Sequence, residues 1–106
     1  KKNYILFEKF VNKYGEDFFG FSYMNGLVKG LISVRNNTLA IYEWRSYSPN
    51  SGNTVKALLQ LREKYSEIIV HDIGGAPQDS SWNYWIYIRN RGFVDHLYDE
   101  NRDKIT

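Results

Sequence analysis

Apolar residues recur every three or four positions near the start of the chain, with lysine and glutamate between them. This spacing predicts an amphipathic helix over residues 3–15, and Gly15 would end it because glycine readily adopts the left-handed backbone of a helix stop. The apolar positions of this segment are Tyr4, Phe7, Phe10 or Val11, and Tyr14.

Three β-prone runs follow, and short polar turns separate them. Asn25-Gly26 joins the first two runs, and both residues tolerate the positive φ of a tight hairpin. Asn36-Asn37 turns the chain again into the third run. We therefore expect an antiparallel meander, whose predicted strands are residues 18–24, 27–34 and 38–46.

The second half of the chain alternates helical and extended patterns. The predicted elements are a helix over residues 53–65, a central strand over 67–73, a helix over 81–91 that Gly92 ends, and a last strand over 93–98. The strand over 67–73 is placed centrally because its apolar run is continuous rather than alternating. The apolar positions of the first helix are Val55, Leu58, Leu59, Tyr65 and the stem of Arg62.

These elements predict one α/β (α+β) domain over residues 1–106. Its mixed sheet would consist of the antiparallel meander followed by β-α-β-α-β, because strand-helix-strand units join parallel neighbours. Where two parallel strands of such a sheet separate, a ligand crevice opens at their carboxyl ends. We expect that crevice between residues 44–46 and 71–73, beside the loop that contains Gly52.

That loop has the composition of an anion site. It carries the chain from a strand through serine, asparagine and glycine residues directly into the start of a helix. Unpaired amides and the positive end of the helix dipole would point at a ligand there. Loops of this composition also serve only to turn the chain, and that alternative stays open. The candidate binding residues are Arg45, Ser51, Gly52, Asn53, Thr54 and Val55.

Charge and the supply of metal ligands narrow the range of partners. A net charge of +2, with basic and acidic residues interspersed, argues against a nucleic-acid partner. His71-Asp72 is similar to a metal-binding His-Asp pair, but two histidines and no cysteine in the chain argue against a metal site. The sequence contains no apolar run of the roughly 18–20 residues that span a bilayer and no signal-peptide pattern, so we expect no membrane partner and a cytoplasmic location.

Aromatic residues make up 17% of the chain, more than a small core requires. Some rings are expected to line a groove or an interface, which leaves a homodimer or another protein partner open. The alternative is a core filled with rings because the chain has few leucines and one methionine.

Two segments, together with the order of the elements, resemble the GNAT acetyltransferase superfamily over roughly residues 18–98. Gly52-Asn-Thr-Val-Lys-Ala-Leu-Leu59 is similar to the turn that holds the pyrophosphate of acetyl-CoA in that family, and Ser81 to Phe93 is similar to its closing helix. The resemblance implies acetyl-CoA as cofactor and an amine as acceptor. It also implies Glu43 as the base that deprotonates the amine, and Tyr84 or Tyr87 as the acid that protonates the thiolate.

Several positions differ from the family's pattern. Pro49 stands where the family has arginine or glutamine, Thr54 replaces the second glycine, and Ile88 replaces the usual tyrosine. Two hypotheses therefore stay open. The chain is an acyl-CoA-dependent N-acetyltransferase, or it is an inactive module of the same shape that binds another macromolecule. Short Lys-, Asn-, Tyr- and Ile-rich chains of this shape resemble small bacteriophage-encoded proteins, some of which inhibit host proteins.

Overall fold

The computed structural model describes residues 5–11, 17–48, 51–75 and 80–106, with residues 5–11 and 17 described by their backbone alone. In these residues, six strands form one sheet in the order of the chain, and two helices accompany it. The elements are β1 (Ile5–Val11), β2 (Asp17–Tyr23), β3 (Val28–Arg35), β4 (Thr38–Ser46), α1 (Asn53–Lys64), β5 (Glu67–Ile73), α2 (Ser80–Asn90) and β6 (His96–Asp99).

The predicted fold class is confirmed. Strands β1 to β4 form an antiparallel meander, and β5 and β6 then add in parallel through α1 and α2. Both crossovers run in the same direction along the sheet, so both helices pack on the same face. The buried side chains of β4, β5, β6, α1 and α2 form one core, including Leu39, Ile41, Leu58, Leu61, Ile68, Val70, Ile88 and Leu97. Neither helix in the described part of the chain is long and apolar enough to cross a membrane.

The predicted helix over residues 3–15 is wrong where the structure describes that segment. Residues Ile5–Val11 form strand β1, which pairs antiparallel with β2 along its whole length. The remaining residues of the predicted helix, including Gly15, lie outside the described ones. Short apolar runs are ambiguous between helix and strand, and this one is rich in the aliphatic and aromatic residues that suit strands. The edge of β2 offers backbone partners, and tertiary pairing overrides the helical spacing.

The other elements lie close to their predicted bounds, with two local differences. The first hairpin loop is longer than Asn25-Gly26, because Met24, Asn25 and Gly26 all have positive φ and the strands pair only from Tyr23 and Val28 outward. The last strand begins at His96 rather than residue 93. The residues before it complete a helix stop, in which the amides of Gly92 and Phe93 donate to the carbonyls of Arg89 and Ile88.

Helix α1 presents a different face to the sheet from the one predicted. Its buried residues are Thr54, Ala57, Leu58 and Leu61, whereas Leu59 is 48% exposed. Both sets have helical spacing, so spacing alone does not choose between them. The observed set contains the small residue Ala57, which is fully buried and lets the helix approach the sheet closely.

A tether holds α1, β5 and the start of β6 together. The Arg62 guanidinium donates to both carboxylate oxygens of Asp95, at 2.5 and 2.8 Å, and Asp95 also accepts from the Ile68 amide at 2.8 Å. The hydrogen bond from Arg62 holds the pKa of Asp95 below its ordinary value of 3.8. Because bidentate arginine–carboxylate pairs combine charge with fixed geometry, this contact fixes the register of three elements at once.

The Asp95→Asn substitution is expected to reduce the free energy of unfolding by about 1–2 kcal/mol at neutral pH, a modest amount for a charged hydrogen bond because both side chains are partly exposed. A carboxyl whose folded pKa is lowered stabilises the fold above its unfolded pKa and loses that contribution as pH falls through the folded value. The difference between wild type and variant should therefore shrink below about pH 4. Urea unfolding of both proteins at pH 7 and pH 3 measures this difference in unfolding free energy.

Asp103→Asn is the matched control, since this carboxyl lies on the exposed turn after β6. It should leave stability unchanged at both pH values. Equal stability of wild type and Asp95→Asn at pH 7 would show that the tether contributes nothing.

Candidate functional site

The sheet splits between the first two of its three parallel strands. Strands β4 and β5 pair from Thr38 and Glu67 to Ile41 and Val70, and the pairing stops there although both strands continue. On β4, the residue at the break is Tyr42, which is the extra residue of a bulge against β3. A bulge increases local twist and bends its strand, which directs β4 away from its neighbour.

Strand β5 carries a second irregularity at the same level. Its register against β6 shifts between Val70 and Ile73, and Asp72 has a φ of 56° in the left-handed region. A non-glycine residue in this region is uncommon inside a strand and tends to occur where structure around it serves a function. We call the segments of β4 and β5 that border the split its two lips. Both lips are irregular, and the hydrogen-bonded pairing between β4 and β5 does not continue along them.

A cavity of about 800 Å³ occupies the split. Its lining comes from both lips, from β3 and from the start of α2, and includes Tyr42, Glu43, Trp44, Arg45, His71, Asp72, Gly74, Ser81 and Trp85. The crevice expected between residues 44–46 and 71–73 is thus present. Of the predicted site residues, Glu43 and Arg45 lie in its wall.

Tryptophan rings form the deep wall of the crevice. The Trp44 ring lies 4.9 Å from that of Phe21 and 6.0 Å, edge-on, from that of Trp85. Gly30 of β3 makes room for this packing, because a Cβ there would collide with the Phe21 ring and lie 2.5 Å from the Glu43 carbonyl oxygen. Part of the wall is therefore packed aromatic surface, beside charged residues such as Glu43, Arg45 and Asp72.

The predicted anion loop lies beside the crevice rather than in its wall. Gly52 has a φ of 80° and precedes α1, and the Asn53 amide donates to Ser51 Oγ. The amides of Thr54 and Val55 find no acceptor among the residues that the structure describes. Two of the expected donors are thus available at the helix start, while the Asn53 amide is engaged locally.

The Thr54 side chain has a structural role that its place in the loop did not suggest. Thr54 is buried, and its Oγ1 accepts a hydrogen bond of 3.1 Å from Trp44 Nε1. This contact joins the first turn of α1 to the part of β4 that no longer pairs with β5. It therefore fixes the helix start next to the mouth of the crevice.

Both predicted acid residues lie on the outer face of α2. Tyr84 is 42% exposed and Tyr87 is 54% exposed, and neither belongs to the residues that line the crevice. The Arg91 guanidinium lies 5.7 Å from the Tyr87 ring centroid. The structure thus brings Glu43 and Arg45 together at the crevice and separates both tyrosines from them.

A ladder of rings that the sequence pattern did not predict crosses the sheet face opposite the helices. The His71 imidazole stacks on Tyr42, with centroids 4.9 Å apart, and on Tyr98, at 5.2 Å. Phe18 adds an edge contact to Tyr42 at 5.3 Å. The signal was available in the alternation of β4, β5 and β6, which places these rings on one face. Among the described residues, no three His, Asp or Glu side chains come together in a metal-binding arrangement.

Comparison with known proteins gives a distant similarity over part of the chain. No family model matches the chain, and no solved structure matches it significantly. Alcohol dehydrogenase 4 of Saccharomyces cerevisiae is 28% identical over 81 residues, in strain S288c and in strain YJM789. The similarity covers 76% of this chain but 21% of the dehydrogenase, so the chain spans about a fifth of the length of the curated relatives it matches.

Removing the hydroxyl of Thr54 is expected to destabilise the wall of the crevice. The Thr54→Val variant leaves the Trp44 indole N–H without its acceptor, which should cost about 1–2 kcal/mol of unfolding free energy. Urea unfolding followed by tryptophan fluorescence measures this loss. Thr54→Ser, which keeps the hydroxyl, should lose clearly less. A valine variant as stable as wild type would show that this hydrogen bond contributes nothing to stability.

Proposed function

We propose that this domain binds an acyl-CoA in the crevice between β4 and β5 and transfers the acyl group to an amine. The observation that carries the proposal is the end of pairing after Ile41 and Val70, which opens the crevice at the carboxyl ends of two parallel strands. Ligands of open α/β sheets bind at such places. A cytoplasmic location goes with this proposal, since acyl-CoA is found there.

The split also supplies the chemistry that an amide-containing ligand needs. Beyond Ile41, the edge of β4 toward β5 has no neighbouring strand, so its backbone groups require other hydrogen-bond partners. The pantetheine arm of CoA is an extended chain with two amides, and such chains can pair with an open strand edge. A cavity of about 800 Å³ is within the usual size range for small-molecule ligands.

Charged groups near the mouth suit the rest of the cofactor. Arg45 lines the crevice, and the amides of Thr54 and Val55 lie at the positive end of α1, which would favour a diphosphate. Glu43 in the crevice wall is the carboxylate to which the resemblance gives the role of base. The proposal does not depend on Tyr84 or Tyr87, because both rings lie outside the crevice.

Acetyl-CoA is expected to raise the melting temperature of the wild-type chain. A ligand that binds only the folded state stabilises it by about 2.7 kcal/mol at 100 times its dissociation constant. Arg45→Gln should reduce the shift, because it removes a cation from the mouth of the crevice. Arg91→Gln, which removes an exposed arginine from the turn after α2, should leave the shift unchanged. Differential scanning fluorimetry measures all three proteins.

Fragments of the cofactor show separately how much each of its two ends contributes to binding. ADP tests the diphosphate contacts, and pantetheine tests the open edge of β4. NAD⁺ shares the adenosine diphosphate but lacks the amide arm, so it should shift the melting temperature less than acetyl-CoA. No shift at millimolar acetyl-CoA, together with no acetyl transfer to a panel of amines, would remove the proposal.

A second candidate function is recognition of another protein without catalysis. The outer face of α2 favours it, because Tyr84, Tyr87 and Arg91 are exposed there and these residue types dominate binding hot spots. Such a module would keep the fold without using the crevice. The partner would be a host protein if the similarity to small phage-encoded inhibitors holds, and a second copy of the chain is the simplest alternative.

The Tyr84→Ala, Tyr87→Ala double variant is expected to stay folded, with only a small fall in melting temperature from the lost edge contact of Tyr84 with Trp85, and to lose partner binding. A loss of about 2 kcal/mol or more, or roughly 30-fold in affinity, is typical of a hot spot. Gel filtration and a pull-down from bacterial lysate provide the measurement. Leu59→Ala on α1 is the control for an exposed apolar residue elsewhere. A wild-type chain that is monomeric and captures nothing would count against this candidate.

A further inference from the structure

His71 lies where two cavities meet. It is the first residue of β5 beyond the pairing with β4, and it lines the crevice. It also lines a groove of about 720 Å³ on the sheet face that α1 and α2 leave uncovered. Among the described residues, only Tyr42 and His71 line both spaces. A group on the His71 ring can therefore be reached from either side of the sheet.

The orientation of the imidazole is fixed. Tyr42 covers one face of the ring at an interplanar angle of 12°, and Tyr98 covers the other at 20°. Because both faces are covered, only the edge of the ring remains open, and the edge carries the two nitrogens. Neither nitrogen has a hydrogen-bond partner within the described part of the chain.

The surroundings keep this imidazole neutral. Burial lowers the pKa of His71 below its ordinary value of 6.5, Asp72 raises it and Arg102 lowers it further. The groups that face the ring are the phenols of Tyr42 from β4 and Tyr98 from β6, the neighbouring Asp72 carboxylate, and Arg102 from the turn after β6. A neutral imidazole is a proton acceptor at physiological pH.

We infer that His71, rather than Glu43, is the catalytic base of the proposed acyl transfer. The inference rests on the proposed function. Glu43 is exposed on β4, whereas the half-buried His71 ring is held at the break in the sheet with its nitrogens open. A preoriented group needs no reorganisation when the proton moves, which favours His71 for this role.

The proton balance of the reaction is simple. The amine nitrogen attacks the thioester carbonyl, so that the new C–N bond forms and the C–S bond breaks. The imidazole takes the proton that the amine loses. The same proton then goes to the leaving thiolate and gives free CoA thiol, and the imidazole returns to its neutral form. No oxidant, reductant or metal takes part.

The test replaces His71 with phenylalanine, which keeps an aromatic ring between Tyr42 and Tyr98 but has no nitrogen. His71→Phe should keep the wild-type melting temperature and the wild-type shift with acetyl-CoA. Its kcat for acetyl transfer should fall about 100-fold or more, the usual contribution of a general base, while KM stays close to wild type. His71→Gln is the second variant, in case the larger ring disturbs packing. His96→Gln, at the other histidine, is the control and should retain wild-type kcat.

The pH profile separates a catalytic from a purely structural role. Wild-type kcat should rise with pH through a pKa below 6.5 and then level off, and His71→Phe should lose this limb. The chain has two histidines, so NMR resolves them directly and His71→Phe assigns the signals. Acetyl-CoA should shift the His71 ring signals more than those of His96.

The outcomes distinguish the two proposals. If the wild-type chain binds acetyl-CoA and transfers acetyl groups but His71→Phe keeps kcat within threefold, the role of His71 is overturned and the proposed function stands. Loss of kcat in Glu43→Gln with retention in His71→Phe would assign the base to Glu43 instead. If the wild-type chain shows neither binding nor transfer, the proposed function is overturned, and the role of His71 with it.

Discussion

The structure depends on one interruption of backbone pairing. Past Ile41 and Val70, strands β4 and β5 stop exchanging hydrogen bonds, although each continues for several residues. An unpaired strand edge inside a sheet is costly unless water, side chains or a ligand satisfy its polar groups. The interruption persists because each lip is irregular at the same level, through the bulge at Tyr42 and the left-handed Asp72. Closing the split would require both irregularities to be removed together.

Different contacts hold the two ends of the split, the end where β4 and β5 pair and the end where they do not. At the closed end, fully buried core residues hold β4 against β5, and the Arg62–Asp95 tether holds α1, β5 and the start of β6 in register. At the open end, Trp44 holds the start of α1 through Thr54, and the Tyr42–His71–Tyr98 stack spans the gap on the other face. Ring contacts with centroids about 5 Å apart are favourable in themselves, so they hold the strands together where the β4–β5 hydrogen bonds have stopped. Side-chain contacts therefore hold the positions of β4 and β5 at the split.

Local signals were sufficient for most of the fold but not for its interruptions. Gly92 acts through nearby residues, and the helix stop lies where this signal placed it. Strand β5 lies inside the sheet, as its apolar run indicated, but it is next to the edge strand β6 and its burial alternates. The N-terminal strand was mistaken for a helix because its spacing fits both periods and its partner lies in β2. The bulge at Tyr42 has no signature of its own. It places Ile41 and Trp44 on the same side of the sheet, against the helices, and this arrangement follows only from the assembled core.

In the candidate site too, features set by nearby residues were predictable, and features set by the assembled sheet were not. Strand ends and loop composition predicted where the crevice opens, and Glu43 and Arg45 lie there. The ring ladder was not predicted, because it joins residues from three strands whose register becomes known only when the sheet is assembled. The same ladder bears on both hypotheses. The stacked ring of His71 holds neighbouring strands together under either hypothesis, whereas only a base makes use of its open nitrogens. The placement of His71 therefore favours chemistry over recognition alone on this scaffold.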